Sequence, residues 1–141
     1  MAKVKWYGDE FLSKMTQQLE SRMDVCAQHI ADEAKQLMRD TPTSGEIIKI
    51  IRRNNNPTGR NYHTRASRSM PNNPPAVQQG NLLRSIDYER AGTLRRRVGT
   101  NLKYGLYLEL GTRKMIKRPF LVPALKNSEN FIEKQISAPM F

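Results

Sequence analysis

A single cysteine, Cys26, stands in the chain, so no internal disulfide can form. Histidine is nearly as scarce, with only His29 and His63. Cys26 and His29 are three residues apart on a predicted helix, but two ligands do not close a zinc site, and Cys26 is expected to be a small core residue. His63 falls in a polar, proline-rich stretch where a solvated loop residue is expected. No apolar run approaches the ~20 residues that span a bilayer. Met1 is not followed by a secretory apolar region, so a soluble protein made in a cytoplasm is expected. Apolar residues make up only 38% of the 141 residues, and mean hydropathy is −0.70. The expected core of this single domain is modest, with some apolar surface left for neighbouring subunits to complete. The chain also lacks a glycine-rich phosphate loop, a nucleophile elbow and a metal-ligand cluster. Neither catalysis nor a cofactor is expected. Glu20, Asp24 and Asp32 fall where solvated helix positions are expected. A magnesium nuclease would need companions for them near the basic middle region, where only Asp87, Glu89 and Glu109 stand.

What the chain has in excess is positive charge, and it is unevenly placed. The formal net charge is +11. Residues 1–48 carry six basic and eight acidic side chains, residues 49–118 sixteen and three, and residues 119–141 two of each. All of the excess therefore lies in the middle, a field that attracts polyanions or an acidic protein surface.

Residues 9–39 read as one long amphipathic helix. Leu12, Met15, Leu19, Met23, Cys26, Ile30, Ala34 and Leu37 step by three or four, with Asp9 as N-cap and Thr41-Pro42 as the stop. Residues 41–79 break that periodicity. Ile47, Ile48, Ile50 and Ile51 form a short apolar patch suited to a strand or a helical turn. The rest of that stretch reads as a long loop or extended arm. It bears Arg52, Arg53, Arg60, Arg65 and Arg68, spaced by polar residues as phosphate or acidic contacts require. A β-hairpin is predicted over 81–99, with its first strand over 81–89 and its turn at Ala91-Gly92. Leu94, Arg96 and Val98 would share one face of the second strand, and Arg95 and Arg97 the other. Periodicity alone leaves residues 102–110 as helix or strand. The basic turn RKMIKR comes next, and residues 121–137 read as a closing helix with Pro123 in its first turn. The predicted class is α+β: a long N-terminal helix packed on a small antiparallel sheet, an extended basic arm and a C-terminal helix.

Each feature of the segment 98–125, VGTNLKYGLYLELGTRKMIKRPFLVPAL, has a plain structural role. Gly111 suits a positive-φ turn. Pro119 and Pro123 punctuate the approach to the last helix, and Phe120, Leu121 and Leu125 suit a core. Glu109, an acid inside an apolar run, needs a partner, which Arg113, Lys114 or an arginine of a neighbouring subunit would supply. The order of these features, with Tyr104, Tyr107, Glu109, Gly111, Thr112, Pro119, Phe120 and Pro123, resembles the signature of the neck and tail-completion proteins of tailed bacteriophages. Upstream, PPAVQQGNLLRSI (residues 74–86) is similar to the family's Pro-Pro-Ala segment leading to a Gly-x-Leu-x-x-Ser-Ile strand. Two departures stand out: Gln78-Gln79-Gly80 replaces a frequent Asp-Thr-Gly, and Gly105 a frequent alanine.

The resemblance implies a structural virion protein, assembled in the host cytoplasm as a ring that joins the DNA-filled head to the tail. It implies self-association (a hexamer favoured, a dodecamer also allowed), contact with other neck, head-closure, tail-terminator or tail-tube proteins, and transient contact with double-stranded DNA. No membrane is involved. Arg52, Arg53, Arg60, Arg65, Arg68, Arg95, Arg96 and Arg97 are the candidate contacts to DNA or an acidic partner. The rival reading is a free, sequence-nonspecific DNA-binding protein. Only Tyr62 and Tyr88 interleave with the basic run, few for stacking on single strands.

Overall fold

The computed structural model describes residues 7–42, 47–50, 62–65, 69, 72–77 and 80–139. Helix α1 (Gly8–Asp40) is followed by strands β1 (Ile47–Ile50) and β2 (Tyr62–Arg65), a short helix α2 (Asn81–Ser85), strands β3 (Ile86–Gly92) and β4 (Arg95–Thr100), helix α3 (Lys103–Leu110) and helix α4 (Leu121–Ser137). This is the expected α+β arrangement, with α1 packed on the β3–β4 hairpin and on α4.

The core is small. Ala31, Ala34 and Met38 of α1 meet Leu82, Ile86, Phe120 and Ala124, with Ile30, Leu37, Val98, Leu102, Leu108 and Leu121 packed around them. Alanines at the helix contact let α1 and α4 approach closely, and Phe120, fully buried, fills the space at the head of α4. Cys26 is buried as expected. His29 stacks on Phe131, ring centroids 4.0 Å apart, and its Nδ1 lies 3.1 Å from the Ser128 hydroxyl oxygen. That hydroxyl already gives its one hydrogen to the Ala124 carbonyl at 2.8 Å, so His29 Nδ1 is the donor of the pair.

The two helices run antiparallel. The Asn127 amide donates to Glu33, and Ser128 faces His29. Arg22 donates to the carbonyls of Gln135, Ala138 and Pro139, closing the C-terminal end of α4. Helix α1 is thus about 50 Å long and α4 about 25 Å at ~1.5 Å per residue. Arg22 marks where α4 stops. Arg96 reaches the Glu20 carbonyl, which marks where the hairpin stops. Residues 7–19 run on beyond both.

Several boundaries differ from the sequence expectation. Helix α1 begins at Gly8, with Tyr7 at the N-cap and no side-chain cap from Asp9. The buried stripe is Cys26, Ala27, Ala31, Ala34 and Met38, whereas Leu12 is 60% exposed. The apolar periodicity is real, but tertiary packing uses only its second half. Residues 41–79 are not wholly a loop, because β1 pairs antiparallel with β2, Ile47 opposite Arg65 and Ile50 opposite Tyr62. The proposed strand over 81–89 begins only at Ile86. Gly80, at φ 75°, reverses the chain, and Arg84 N bonds back to Gly80 O. Leu82 and Ile86 are four residues apart, a spacing that places both on one side in a helix or a strand. The hairpin turn is Thr93-Leu94, not Ala91-Gly92. Ala91 is an extra residue between the Arg90–Arg96 and Gly92–Arg95 pairs, a β-bulge that Gly92 accommodates at φ 151°. Residues 103–110 are helical.

Candidate functional site

The segment 98–125 forms one built unit around Glu109. Helix α3 turns Gly105 and Leu108 inward and Tyr104, Leu106, Tyr107 and Leu110 outward. Gly105 is buried against the end of β4, where an added Cβ would collide with the Thr100 methyl. The carboxylate of Glu109 accepts three backbone N–H groups, from Phe120 (2.8 Å), Leu121 (3.1 Å) and Val122 (3.0 Å). Those are orphan donors of the first turn of α4. Glu109 therefore caps that helix from eleven residues away, and its partner is backbone rather than Arg113, Lys114 or a neighbour's arginine. The sequence carries the signal, an acid in an apolar run, but does not show that the donors lie on the chain itself.

Between Glu109 and Phe120 the chain makes a closed loop. Gly111, at φ 79°, ends α3 and donates to Tyr107 O at 2.9 Å. Thr112 and Met115 exchange two backbone hydrogen bonds across a tight turn, and Arg118 N bonds to Leu108 O at 2.6 Å. Arg113, Lys114 and Lys117 are exposed on this loop. Phe120 is not an interface residue but core, while Thr112 is exposed and Pro119 and Pro123 are half-buried.

The arginines separate into distinct groups. Arg52, Arg53, Arg60 and Arg68 lie outside the described residues, and only the backbone of Arg65, in β2, is described. Arg95 and Arg97 project from the outer face of the hairpin as expected. Arg95 makes no side-chain hydrogen bond or ion pair among the described residues, and Arg97 bridges Glu89 at 3.4 Å, both side chains about 70% exposed. Such a pair stabilises little, and with Asp87 beside it the outer face carries both signs.

Arg96 is a correction. Its side chain is 4% exposed and ion-paired with Asp24, which also pairs with Arg90. It is a structural tie between β4 and α1, not a contact for DNA. Asp24 is likewise not a solvated helix acid. The Arg96 guanidinium first, and that of Arg90 second, hold its carboxyl below the ordinary 3.8. A lowered folded-state pKa gives stability that is complete above the unfolded value and is lost as pH falls through the folded one. The advantage of the wild type over Asp24→Asn in urea midpoint is therefore expected to be constant above about pH 5 and to shrink steadily toward pH 2. A difference independent of pH across that range would contradict the assignment.

One exposed surface is apolar, at side chains of α3 and the adjoining loop that the sequence expectations do not single out. Leu106 is 58% exposed, Leu110 70% and, on the adjoining loop, Ile116 59%. The signal for it in the sequence is that α3 is apolar nearly all round, in a chain otherwise poor in apolar residues. Beside this helix lies an open groove of about 420 Å³ lined by Leu102, Gly105, Leu106, Leu110 and Leu121. It meets at Leu121 a second hollow of about 270 Å³ lined by Ile30, Val98, Val122 and Leu125. Lys103 lines the α3 groove, and Arg113, Lys114 and Lys117 are exposed on the loop that follows α3. Among the described residues, no group of three or more His, Cys, Asp or Glu could hold a metal ion, and no helix is long and apolar enough to cross a membrane. Comparison with family models, curated proteins and solved structures finds no match for this chain.

Proposed function

We propose that the chain is a structural virion protein that forms a homo-oligomeric ring in the neck of a tailed bacteriophage, a hexamer being favoured over a dodecamer. The ring joins the DNA-filled head to the tail and borders the DNA channel. The observation that carries this reading is the layout of the resembling segment. Its acid is turned inward to hold α4, and its tyrosines and leucines are turned outward as a patch that a monomer has no use for. Exposed contiguous apolar surface on a small protein marks a protein interface. The low apolar content of the chain sharpens the point, since few such residues are available and these are placed on the outside.

The positive charge supports a secondary contact with phosphate. In a ring each exposed cation is repeated by symmetry, so Arg95, Arg113, Lys114 and Lys117 would form belts without any subunit reading sequence. Contacts of this kind weaken steeply with salt, which suits DNA that must pass and not stall. The mixed-sign outer face of the hairpin and the withdrawal of Arg96 make a dedicated groove-reading surface a poorer fit.

Removing the chain from the phage that encodes it is expected to leave filled heads and finished tails unjoined, as scored by electron microscopy. Normal particles would overturn the reading. For the charge, replacing Arg95 and Arg97 with serine is expected to reduce infectious particles while leaving the fold intact. Particles that join but fail to eject place these arginines on the DNA path, and unjoined ones place them at a protein joint. Tight, sequence-selective binding of duplex DNA by the purified chain would instead favour a free DNA-binding protein.

A further inference from the structure

Glu109 is the only acid between Glu89 and Glu129, against ten basic residues in the same stretch. Its carboxylate is turned onto the backbone of α4. The loop that follows, residues 111–118, carries four cations and no acid. Arg113, Lys114 and Lys117 of this loop are exposed and make no side-chain hydrogen bond or ion pair among the described residues. The hairpin differs, because Asp24 faces Arg90 and Arg96, and Glu89 faces Arg97. The loop is also held in shape. Thr112 and Met115 exchange two backbone hydrogen bonds, which makes Arg113 and Lys114 the central residues of a tight turn. The Lys114 N–H donates to the Thr112 hydroxyl at 3.3 Å. Below the turn, Lys117 O accepts from Asn72 N at 3.1 Å, and Arg118 N donates to Leu108 O. A backbone fixed in this way has little freedom left to lose on binding.

We infer that this loop, rather than the hairpin, is the main surface on which the chain meets DNA, with Arg113, Lys114 and Lys117 on the phosphates of a duplex. The proposal deepens the phosphate contact described above and rests on the ring reading for the DNA being the genome in the channel. Arg113 and Lys117 are four residues apart, at most ~14 Å even along an extended chain. One DNA strand offers a phosphate every ~3.4 Å of helix axis, so all three cations fall within reach of a few neighbouring phosphates. The loop holds no Asn, Gln or aromatic residue to read bases or stack on them. Two of the three cations are lysines, a residue depleted at protein interfaces and well suited to phosphate as a point charge. That composition favours phosphate over an acidic protein surface.

The test titrates the full chain onto a labelled, mixed-sequence DNA duplex at several salt concentrations. Three phosphate contacts contribute a slope of about −2.7 in log affinity against log salt, a ~40-fold loss between about 50 and 200 mM. The triple variant Arg113→Ser, Lys114→Ser, Lys117→Ser should bind at least ~10-fold more weakly at the lower salt, with the slope shallower by about that amount. Arg97→Ser removes a cation that Glu89 already offsets, and should change affinity less than ~3-fold. These side chains are exposed, and thermal unfolding checks that each variant folds. Two duplexes of unrelated sequence should bind within about 3-fold of each other. A triple variant with wild-type affinity and slope would overturn the assignment, as would a strong preference between the duplexes. Binding of polyglutamate but not of duplex would overturn it in favour of an acidic protein partner. Light scattering on the same samples separates this from the ring reading. Rings whose DNA binding ignores the loop sink the loop and keep the ring, whereas loop-dependent binding by a monomer keeps the loop and sinks the ring.

Discussion

Replacing Glu109 with alanine is expected to lower the unfolding free energy by about 2–3 kcal/mol, the scale of losing charge-assisted hydrogen bonds at a helix start. The carboxylate accepts the N–H groups of Phe120, Leu121 and Val122. Phe120 is fully buried, so its donor has no water to turn to. Glu109→Gln keeps one acceptor oxygen and should lose less than alanine. Urea denaturation measures the ranking, and hydrogen exchange locates it, since amide exchange at residues 120–122 should quicken in the alanine variant. A loss under about 0.5 kcal/mol, the range of an ordinary surface change, would mean that the three contacts are not what holds α4 to α3.

The second large effect is at Gly105. Alanine there should gain helix propensity of up to ~1 kcal/mol, yet a net loss of about 1–3 kcal/mol is expected from overpacking. The new Cβ would run into the Thr100 methyl and stand 3.3 Å from Leu82 Cδ1. Thr100 cannot simply turn away. Its hydroxyl is 2.5 Å from that of Ser85 and accepts from Leu102 N at 3.2 Å. Adding Thr100→Ser to Gly105→Ala removes the methyl and keeps the hydroxyl, so most of the loss should return. If the double variant is no more stable than Gly105→Ala, the Thr100 contact is not the cause. This contact also gives a physical reason for glycine where the resembling family often has alanine: here the methyl beside that position comes from Thr100.

Long-range periodicity makes α1 and α4 legible in the sequence, and the hairpin is legible in kind. Its bounds are not, because Leu82 and Ile86 satisfy the helical and the extended repeat equally, and a bulge at Ala91 moves the turn by two residues. The helical stripe of α1 is visible along its whole length, but sequence does not show where the covering elements stop. Leu12 looks like core for that reason. Charge is the least legible property at the site. Arg96 sits between Arg95 and Arg97 and looks like them, yet strand alternation points it to the opposite side, where Asp24 waits on a helix 72 residues away. Alternation gives the face, but a partner so distant in sequence leaves no local trace. Glu109 marks itself by being out of place, and only the fold shows that it serves its own chain. The outward leucines of α3 are marked only by a helix that is apolar nearly all round, and singly each looks like a candidate for burial.

The loop after Glu109 has a consequence for how this protein can diversify. Its two ends are fixed by contacts that do not involve the side chains at its tip. Glu109 grips the first turn of α4, Arg118 N holds Leu108 O, and Thr112 meets Met115 backbone to backbone. Lengthening a closed loop costs little, about 0.6 kcal/mol per doubling. Arg113 and Lys114 can thus be exchanged, or further residues inserted beside them, without disturbing the stem. Gly111 does not share that freedom, with main-chain atoms of Lys117 and Met115 3.1 Å from where a side chain would begin. The chain therefore carries an interchangeable tip on an invariable base. Swapping the tip is the least disruptive way for this fold to be refitted to a different neighbour.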